Sequence, residues 1–353
     1  MNQEIHKLLN KTEAKQGIYP FQVYVYSDTK NINIEYPQES KDKLFHIASV
    51  GKLISTTYVL KLMEEGLLSL DDPITKYLDT YILDGLFLSN PNEITIKDCL
   101  THRSGAKDFF EGKDKQGNKF TDLVLKYPNQ LWDRESILKY SKENLRPVGK
   151  KGEKFSYGDT AFMLVLMCVE TIKHKEFHVL LDEEIFKPLN MMNTQSMIYN
   201  YPSKNRLCPE HIYFGKVDIK DFKSLNCDQA DGGIVSTPYD LVLFQKALYS
   251  GKIISNDSIE LMKNWQGVFR PGIHYGMGMM EIRFEEFFFL MRNFPRLMGH
   301  IGILSTHCFY DQENDVHYVL NFGTSDKMTQ SFVFLSNLVG LLKKQGLFGT
   351  IKL

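Results

Sequence analysis

Stretches that alternate apolar and polar residues lie at both ends of this chain, and the stretch between them does not alternate. Phe21-Gln22-Val23-Tyr24-Val25-Tyr26 and Ile32-Asn33-Ile34-Glu35-Tyr36 flank the turn formers Ser27-Asp28-Thr29-Lys30-Asn31, which predicts a hairpin. Strand patterns return after residue 270, over Gly276–Arg283, Glu286–Arg292, Thr306–Asp311 and Val316–Phe322. Phe332, Leu335, Leu338, Val339 and Leu342 then mark one side of a final helix over Ser331–Lys343. Between about residues 67 and 230, helical patterns and polar loops dominate, with an apolar helix over Ala161–Ile172 near the centre. Strands at both ends around a helical middle imply one sheet built from both termini, with the middle inserted into it. At 353 residues the chain exceeds the usual single-domain size, so one large or two interleaved domains are expected.

The residues that speak of chemistry are Ser49 and Lys52, in Phe45-His46-Ile47-Ala48-Ser49-Val50-Gly51-Lys52. On a helix, i and i+3 share a face, so a lysine amine reaches a serine oxygen one turn away. A helix N-terminus adds partial positive charge and free N–H groups where an oxyanion would develop. Ser-x-x-Lys occurs five times, at Ser27, Ser40, Ser49, Ser104 and Ser136. The first two lie in or beside strand patterns, where i and i+3 point to opposite faces. Ser104 sits in a turn, and Ser136 on a helix face marked as solvated by Asp133, Arg134, Glu135 and Lys142. Only Ser49 opens a long apolar helix, which stops at Gly66. A serine that merely caps a core helix is the plain alternative.

Net charge is −1, from 42 basic and 43 acidic residues, with no strong basic tract, which argues against nucleic acid or an anionic membrane as the main partner. No run of about 20 apolar residues offers a membrane span, and residues 1–7 have no apolar signal-peptide core. Cys99, Cys168, Cys208, Cys227 and Cys308 form no Cys-x-x-Cys pair and read as free, mostly buried thiols of a reducing compartment, so a cytoplasmic location is expected. His174 and His178 have helix-face metal-ligand spacing but lack the His-Glu-x-x-His pattern and a third ligand, and read as a solvated pair. The aromatic run Phe284–Leu290 reads as a buried strand or turn, or as the rim of an acyl pocket.

Further along, Phe155-Ser156-Tyr157-Gly158-Asp159-Thr160 precedes the apolar central helix, and Gly299-His300-Ile301-Gly302 stands before a strand. With Ser49-x-x-Lys52, these resemble the three ordered elements of the serine β-lactamase and penicillin-binding protein superfamily, in particular its class C β-lactamase-like, esterase and D-aminopeptidase-type branch. Leu68–Ile74, Leu100–Gly105, Phe186–Met191 and Asp231–Leu241 are similar to its linking segments, so the likeness runs over about residues 20 to 345. The resemblance implies an α+β fold: an antiparallel sheet flanked by helices, from residues 1–66 and 231–353, with a mostly helical insertion at 67–230. It also implies a Ser49 nucleophile, with Lys52 accepting or relaying its proton, its pKa lowered by desolvation and cationic neighbours. Tyr157 would protonate the leaving group and later activate water, and the N–H groups of Ser49 and Ile303 would form the oxyanion hole after His300 and Gly302. No cofactor or metal is expected.

The departures bear on substrate. His300-Ile301-Gly302 replaces the family's Lys-Thr/Ser-Gly, and neither a neutral histidine nor an isoleucine holds a carboxylate well. Asp159 replaces an amide, exchanging a donor-acceptor for an acceptor-only anion suited to a substrate amine or hydroxyl, or to an internal lysine; its plainer role is to cap the central helix. The expectation is a serine hydrolase of esters or amides, including D-amino-acid peptides, with weak or no penicillinase activity. A non-catalytic acyl-binding sensor, or a true class C-type β-lactamase or D-Ala-D-Ala carboxypeptidase, are the alternatives. Substrate would be a small molecule or short peptide.

Overall fold

A computed structural model describes residues 3–197, 207–228 and 233–347; Asp231 and Gly232, at the head of one family-like segment, and the chain ends at 1–2 and 348–353 lie outside the described residues. Strands β1 (Gln22–Ser27) and β2 (Ile32–Tyr36) form the N-terminal hairpin, followed by β3 (Phe45–His46). The middle contributes β4 (Gln195–Ser196), β5 (Tyr213–Phe214), β6 (Val217–Asp218) and β7 (Ile234–Ser236). The C-terminal part holds β8 (Gly267–Arg270), β9 (Ile273–Tyr275), β10 (Met280–Ile282), β11 (Leu297–Gly302), β12 (Thr306–Asp311) and β13 (Val316–Asn321). Eight of these make one antiparallel sheet in the order β2-β1-β13-β12-β11-β10-β9-β8. The two ends of the chain therefore meet at β1 and β13, with Tyr24 opposite Val319.

Period two decides what each sheet face buries. Val23 and Val25 of β1, with Val316, Tyr318 and Leu320 of β13, pack under the helices Gln3–Glu13 and Met328–Lys344 through Ile5, Leu9, Leu335, Leu338 and Leu342. Tyr24, Met298, Cys308 and Val319 point the other way and join Leu53, Tyr58, Phe162 and Phe244 of the helices Gly51–Glu64, Asp159–Lys173 and Pro238–Tyr249. Helices on both faces make this a three-layer mixed fold. The Gly51–Glu64 helix is buried on nearly every side, including Lys52, Ser55, Thr56 and Thr57, so it is a core element rather than an amphipathic surface helix. It ends as its glycine predicts: Gly66 has φ 73, its N–H donates to the Met63 carbonyl, and the Leu67 N–H donates to the Leu62 carbonyl, both at 3.0 Å.

A second, three-stranded sheet of β3, β7 and β4 frames the entry to this helix, and the Ile47 N–H donates to the Ile234 carbonyl at 3.0 Å. One predicted strand is absent. Glu286–Arg292 is helical, as the turns Phe284–Phe287 and Phe289–Met291. Phe284 and Phe287 are spaced i, i+3, and Phe287 packs where any Cβ on Gly272 would sit, 2.4 Å from its ring. The Glu286 carboxylate reaches His274 Nε2 at 2.8 Å and the Gly272 N–H at 3.2 Å. These contacts tie the helical segment to the start of β9. The metal-like spacing of His174 and His178 is also not a shared helix face: His174 ends the central helix at φ 50 and His178 belongs to the next helix, Phe177–Leu181.

Replacing Leu338 by Ala, which is fully buried under the sheet, is expected to cost about 2–5 kcal/mol in urea unfolding. The same truncation at Ser336, on the outer side of that helix, should stay within about 0.5 kcal/mol.

Candidate active site

Ser49 lies in a 3₁₀ turn, Ala48–Val50, that runs directly into the Gly51–Glu64 helix. Lys52 Nζ donates to Ser49 Oγ at 2.9 Å and to Asp159 Oδ1 at 2.6 Å, and the lysine is completely buried. The ion-pair partner of this lysine is thus an anion, where cationic neighbours were expected; a carboxylate at that distance favours the ammonium against the burial that disfavours it. Asp159 answers an internal lysine from the first turn of its own helix and does not act as the cap.

The cap comes from a residue that sequence reading passed over. Asp108 Oδ1 accepts from the Asp159 N–H at 2.9 Å and from the Phe110 N–H at 3.1 Å, and its Oδ2 accepts from the Glu111 N–H at 2.8 Å. A Cβ on Gly158 would stand 2.6 Å from Asp108 Cβ, so glycine is required for this approach. Burial, then the neighbouring Asp159 charge, push the Asp108 carboxyl up to about 6.

Tyr157 stands over the same lysine, its ring centroid 5.5 Å from Lys52 Nζ. Its loop is held by the family-like segment Leu100–Gly105. The His102 carbonyl accepts from the Ser156 N–H at 2.9 Å, and its Nδ1 accepts from the Gly158 N–H at 3.3 Å. The buried His102 ring lies 4.4 Å from Tyr157 and stacks on Phe162 at 5.0 Å. Burial, and secondarily Lys52, hold this imidazole well below its ordinary value, so it is neutral and its acceptor Nδ1 leaves the proton on Nε2.

His300, Ile301 and Gly302 end β11, and the strand that follows them is β12, from Thr306. The buried His300 ring is 6.1 Å from that of Tyr157, and its Nδ1 donates to the Ile301 carbonyl at 2.7 Å. A Cβ on Gly302 would be 2.6 Å from the Ile47 carbonyl oxygen and 2.8 Å from Ala48 Cβ, so only glycine lets the strand touch the serine turn. Thr306 Oγ1 donates to the same Ile47 carbonyl at 3.1 Å. The turn is itself strained: Ala48 has φ 48. Its N–H donates to His46 Nδ1 at 3.1 Å, and His46 Nε2 lies 3.4 Å from Asp228 Oδ2. His46 and Asp228 carried no motif that could have marked them.

Ser49, Tyr157 and Ile303 line two cavities that meet at the serine. One is narrow, about 60 Å³, and bears the carboxylates of Asp108, Glu111, Asp159 and Asp228. The other is about 390 Å³ and walled by Phe269, Ile273, Met280, Ile301, Met328 and Phe332. A hydroxyl that accepts from a buried ammonium, beside a phenol and under two backbone segments, is equipped for acyl transfer. Among the described residues, no group of three or more His, Cys, Asp or Glu side chains could hold a metal ion.

Comparison with known proteins bears on the family and the fold. A putative penicillin-binding protein, PbpX of Bacillus subtilis (strain 168), is 26% identical over 257 residues, 72% of this chain and 56% of the relative. The D-alanyl-D-alanine-carboxypeptidase/endopeptidase AmpH of Escherichia coli (strain K12) is 25% identical over 225 residues, 64% of this chain and 53% of the relative. The chain thus spans about half the length of these curated relatives. The D-amino acid amidase from Ochrobactrum anthropi SV3 shares the fold, with a TM-score of 0.77 at 20% identity over 97% of this chain and 98% of that one. The family model described as Beta-lactamase matches residues 6–337, and the chain belongs to the Beta-lactamase family.

Proposed function

We propose that this chain is a class C-like serine hydrolase that cleaves esters or amides whose acyl part carries an ammonium, D-aminoacyl compounds among them. The observation that carries this reading is the contact of Lys52 Nζ with both Ser49 Oγ, at 2.9 Å, and Asp159, at 2.6 Å, where the two cavities meet. Ser49 Oγ attacks the carbonyl carbon, and its proton passes to Tyr157, whose phenolate the Lys52 ammonium stabilises. The carbonyl oxygen becomes an oxyanion held by the N–H groups of Ser49 and Ile303. The carbon–oxygen or carbon–nitrogen bond breaks, Tyr157 returns the proton to the leaving alcohol or amine, and water, activated by Tyr157, then releases the acid. His300 and Gly302 bring the Ile303 N–H to the serine.

The narrow arm selects the acyl part. Its volume of about 60 Å³ admits only a group of a few heavy atoms. Lys52 balances Asp159, but Asp108 remains as a carboxylate facing the space. A substrate ammonium answers that charge, and a substrate carboxylate is repelled by it. The ammonium of the L-phenylalanine amide bound to the D-amino acid amidase from Ochrobactrum anthropi SV3 supports the charge part of this reading, as does the loss of the Lys-Thr-type carboxylate holder at His300-Ile301. The five unbridged cysteines, with Cys208 exposed, suit a reducing compartment such as the cytoplasm.

Intact-mass analysis with a fluorophosphonate and with a D-alanine ester should show a stable and a transient adduct respectively, both absent in Ser49→Ala. Turnover should fall at least about 10³-fold in that variant and about 10²–10⁴-fold in Tyr157→Phe. A persistent ester adduct would indicate a sensor, and fast hydrolysis of benzylpenicillin at micromolar concentration would refute the charge argument.

The Asp108 carboxyl, at about 6, sets a pH dependence. As pH falls through about 6 it gains a proton, the arm loses a negative charge, and KM for a cationic acyl substrate should rise by about tenfold. Asp108→Asn should show the high KM at every pH, while KM for a neutral acetyl ester stays flat in both proteins. The folded state binds this proton more tightly than the unfolded state, so the same group makes stability fall as pH rises from about 4 to about 6; Asp108→Asn should flatten that limb in urea titrations.

A further inference from the structure

The larger cavity continues away from the serine. A further space of about 460 Å³ shares Arg270, Ile273, Met328 and Phe332 with it, so the two form one trough from Ser49 along the sheet edge and the start of the Met328–Lys344 helix. Each part alone has the size of a pocket that buries a drug-sized ligand. Apart from Glu111, Arg270 and Ser325, the walls of the inner part are mainly apolar: Ile273, Met280 and Ile301 from the strands, Met328 and Phe332 from the helix. At the outer end lie Phe287 and Val333, 39% and 56% exposed, beside Phe288, Phe289 and Leu290 at 53%, 65% and 64%. Such a row of exposed apolar side chains is unusual on a protein surface that meets only water.

We infer that the leaving group of the substrate is a long apolar chain, an alkyl alcohol or amine, which lies in this trough while a small cationic acyl group occupies the acidic arm. The inference rests on the hydrolase reading above, because that reading puts the acyl part in the narrow arm and leaves the trough to the other side of the scissile bond. The substrate is then an amphipathic aminoacyl ester or amide. Attack by Ser49 breaks the bond between the carbonyl carbon and the chain's oxygen or nitrogen, and the chain departs with the proton supplied through Tyr157. The outer part is lined by Phe287 and Met291, next in sequence to the exposed Phe288, Phe289 and Leu290. Two charged residues line the trough: Glu111 in the inner part, and Arg270, whose guanidinium lies 5.5 Å from the Phe269 ring centroid, in both parts. A guanidinium stacked on an aromatic face keeps its long stem along apolar surface, so it narrows the passage without making it polar.

The test is the rate on D-alanine n-alkyl esters from ethyl to dodecyl, against a mirrored series of methyl esters of n-alkanoic acids. kcat/KM should rise about threefold per methylene in the first series up to about octyl, the effect of burying each CH₂, and should not rise in the second. In Met328→Trp, which fills the trough where its two parts join, the octyl-to-ethyl ratio should fall to near one. Met328→Leu, of similar volume, should keep the wild-type ratio and so separates blockage from misfolding. Turnover of the ethyl ester with a flat alkyl series overturns the inference and leaves the hydrolase reading intact, and so does a rise confined to the alkanoate series. If no ester is turned over, the hydrolase reading fails; calorimetric titration of Ser49→Ala with n-octanol and n-butanol then decides the trough, with affinity rising at least about tenfold for the longer alcohol in support and equal affinities against.

Discussion

A charged lysine with no exposure to water is the constraint around which the site is assembled. Taking an ammonium out of water costs several kcal/mol even after the protein relaxes, and only close, well-oriented anions and acceptors offset it. Lys52 has Asp159 at 2.6 Å and Ser49 Oγ at 2.9 Å. Lys52 belongs to the Gly51–Glu64 helix and Asp159 to the Asp159–Lys173 helix, so this pair locks the central helix against the core helix. Removing either partner leaves a buried charge of one sign, which costs about 3–5 kcal/mol. The chemistry thereby inherits its geometry from a folding requirement. The hydroxyl is held at the lysine because the lysine needs its lone pair as much as the reaction needs the ammonium.

A second requirement fixes the opposite wall. The serine turn is strained at Ala48, at φ 48, a conformation that costs about 1–3 kcal/mol for a residue with a side chain. Two independent holds oppose that cost. His46 accepts from the Ala48 N–H and is itself backed by Asp228, while Thr306 binds the Ile47 carbonyl from β12. Gly302 closes the gap, because any side chain there would strike Ile47 and Ala48. The N–H groups proposed as the oxyanion hole are thus set by β11 and β12, inner strands of the sheet that come from the other end of the chain.

Legibility in the sequence followed the range of each interaction. β1, β2, β12 and β13 were legible because period-two alternation is written within each strand, and the Gly51–Glu64 helix because its apolar run and its terminal glycine are local signals. Ser49 and Lys52 could be paired because, of five Ser-x-x-Lys spacings, theirs alone opens a long apolar helix. Glu286–Arg292 was misread because an aromatic run carries no period by itself; Gly272 and His274, on a neighbouring strand, decide that it coils. Asp108 was invisible for a similar reason: its acceptor role exists only where the chain returns 51 residues later at Asp159. His46, Asp228 and Arg270 likewise gain meaning from partners that no local pattern announces. Asp159 was legible as a departure from its family, though its partner was one of two options, and the buried lysine settles the choice in favour of the internal one.

The substitutions at the site fit one another better than they fit the family pattern they replace. Ile301 stands where a hydroxyl residue would help to hold a carboxylate, and its side chain lines the larger cavity with Met280 and Phe332. The change that removes a donor also extends an apolar wall. On the other side of Ser49, the carboxylate at Asp159 replaces a neutral amide, and Asp108 adds a second acid behind it. The leaving side offers mainly hydrocarbon, with Arg270 and Glu111 in its wall, and a ligand with an anionic acyl side would meet carboxylates. The proposed substrate is therefore polarised end to end, positive toward Asp108 and apolar toward Phe332. The shared machinery of serine, lysine and tyrosine leaves the direction of that polarity open, and here it is set by residues that never touch the bond being broken.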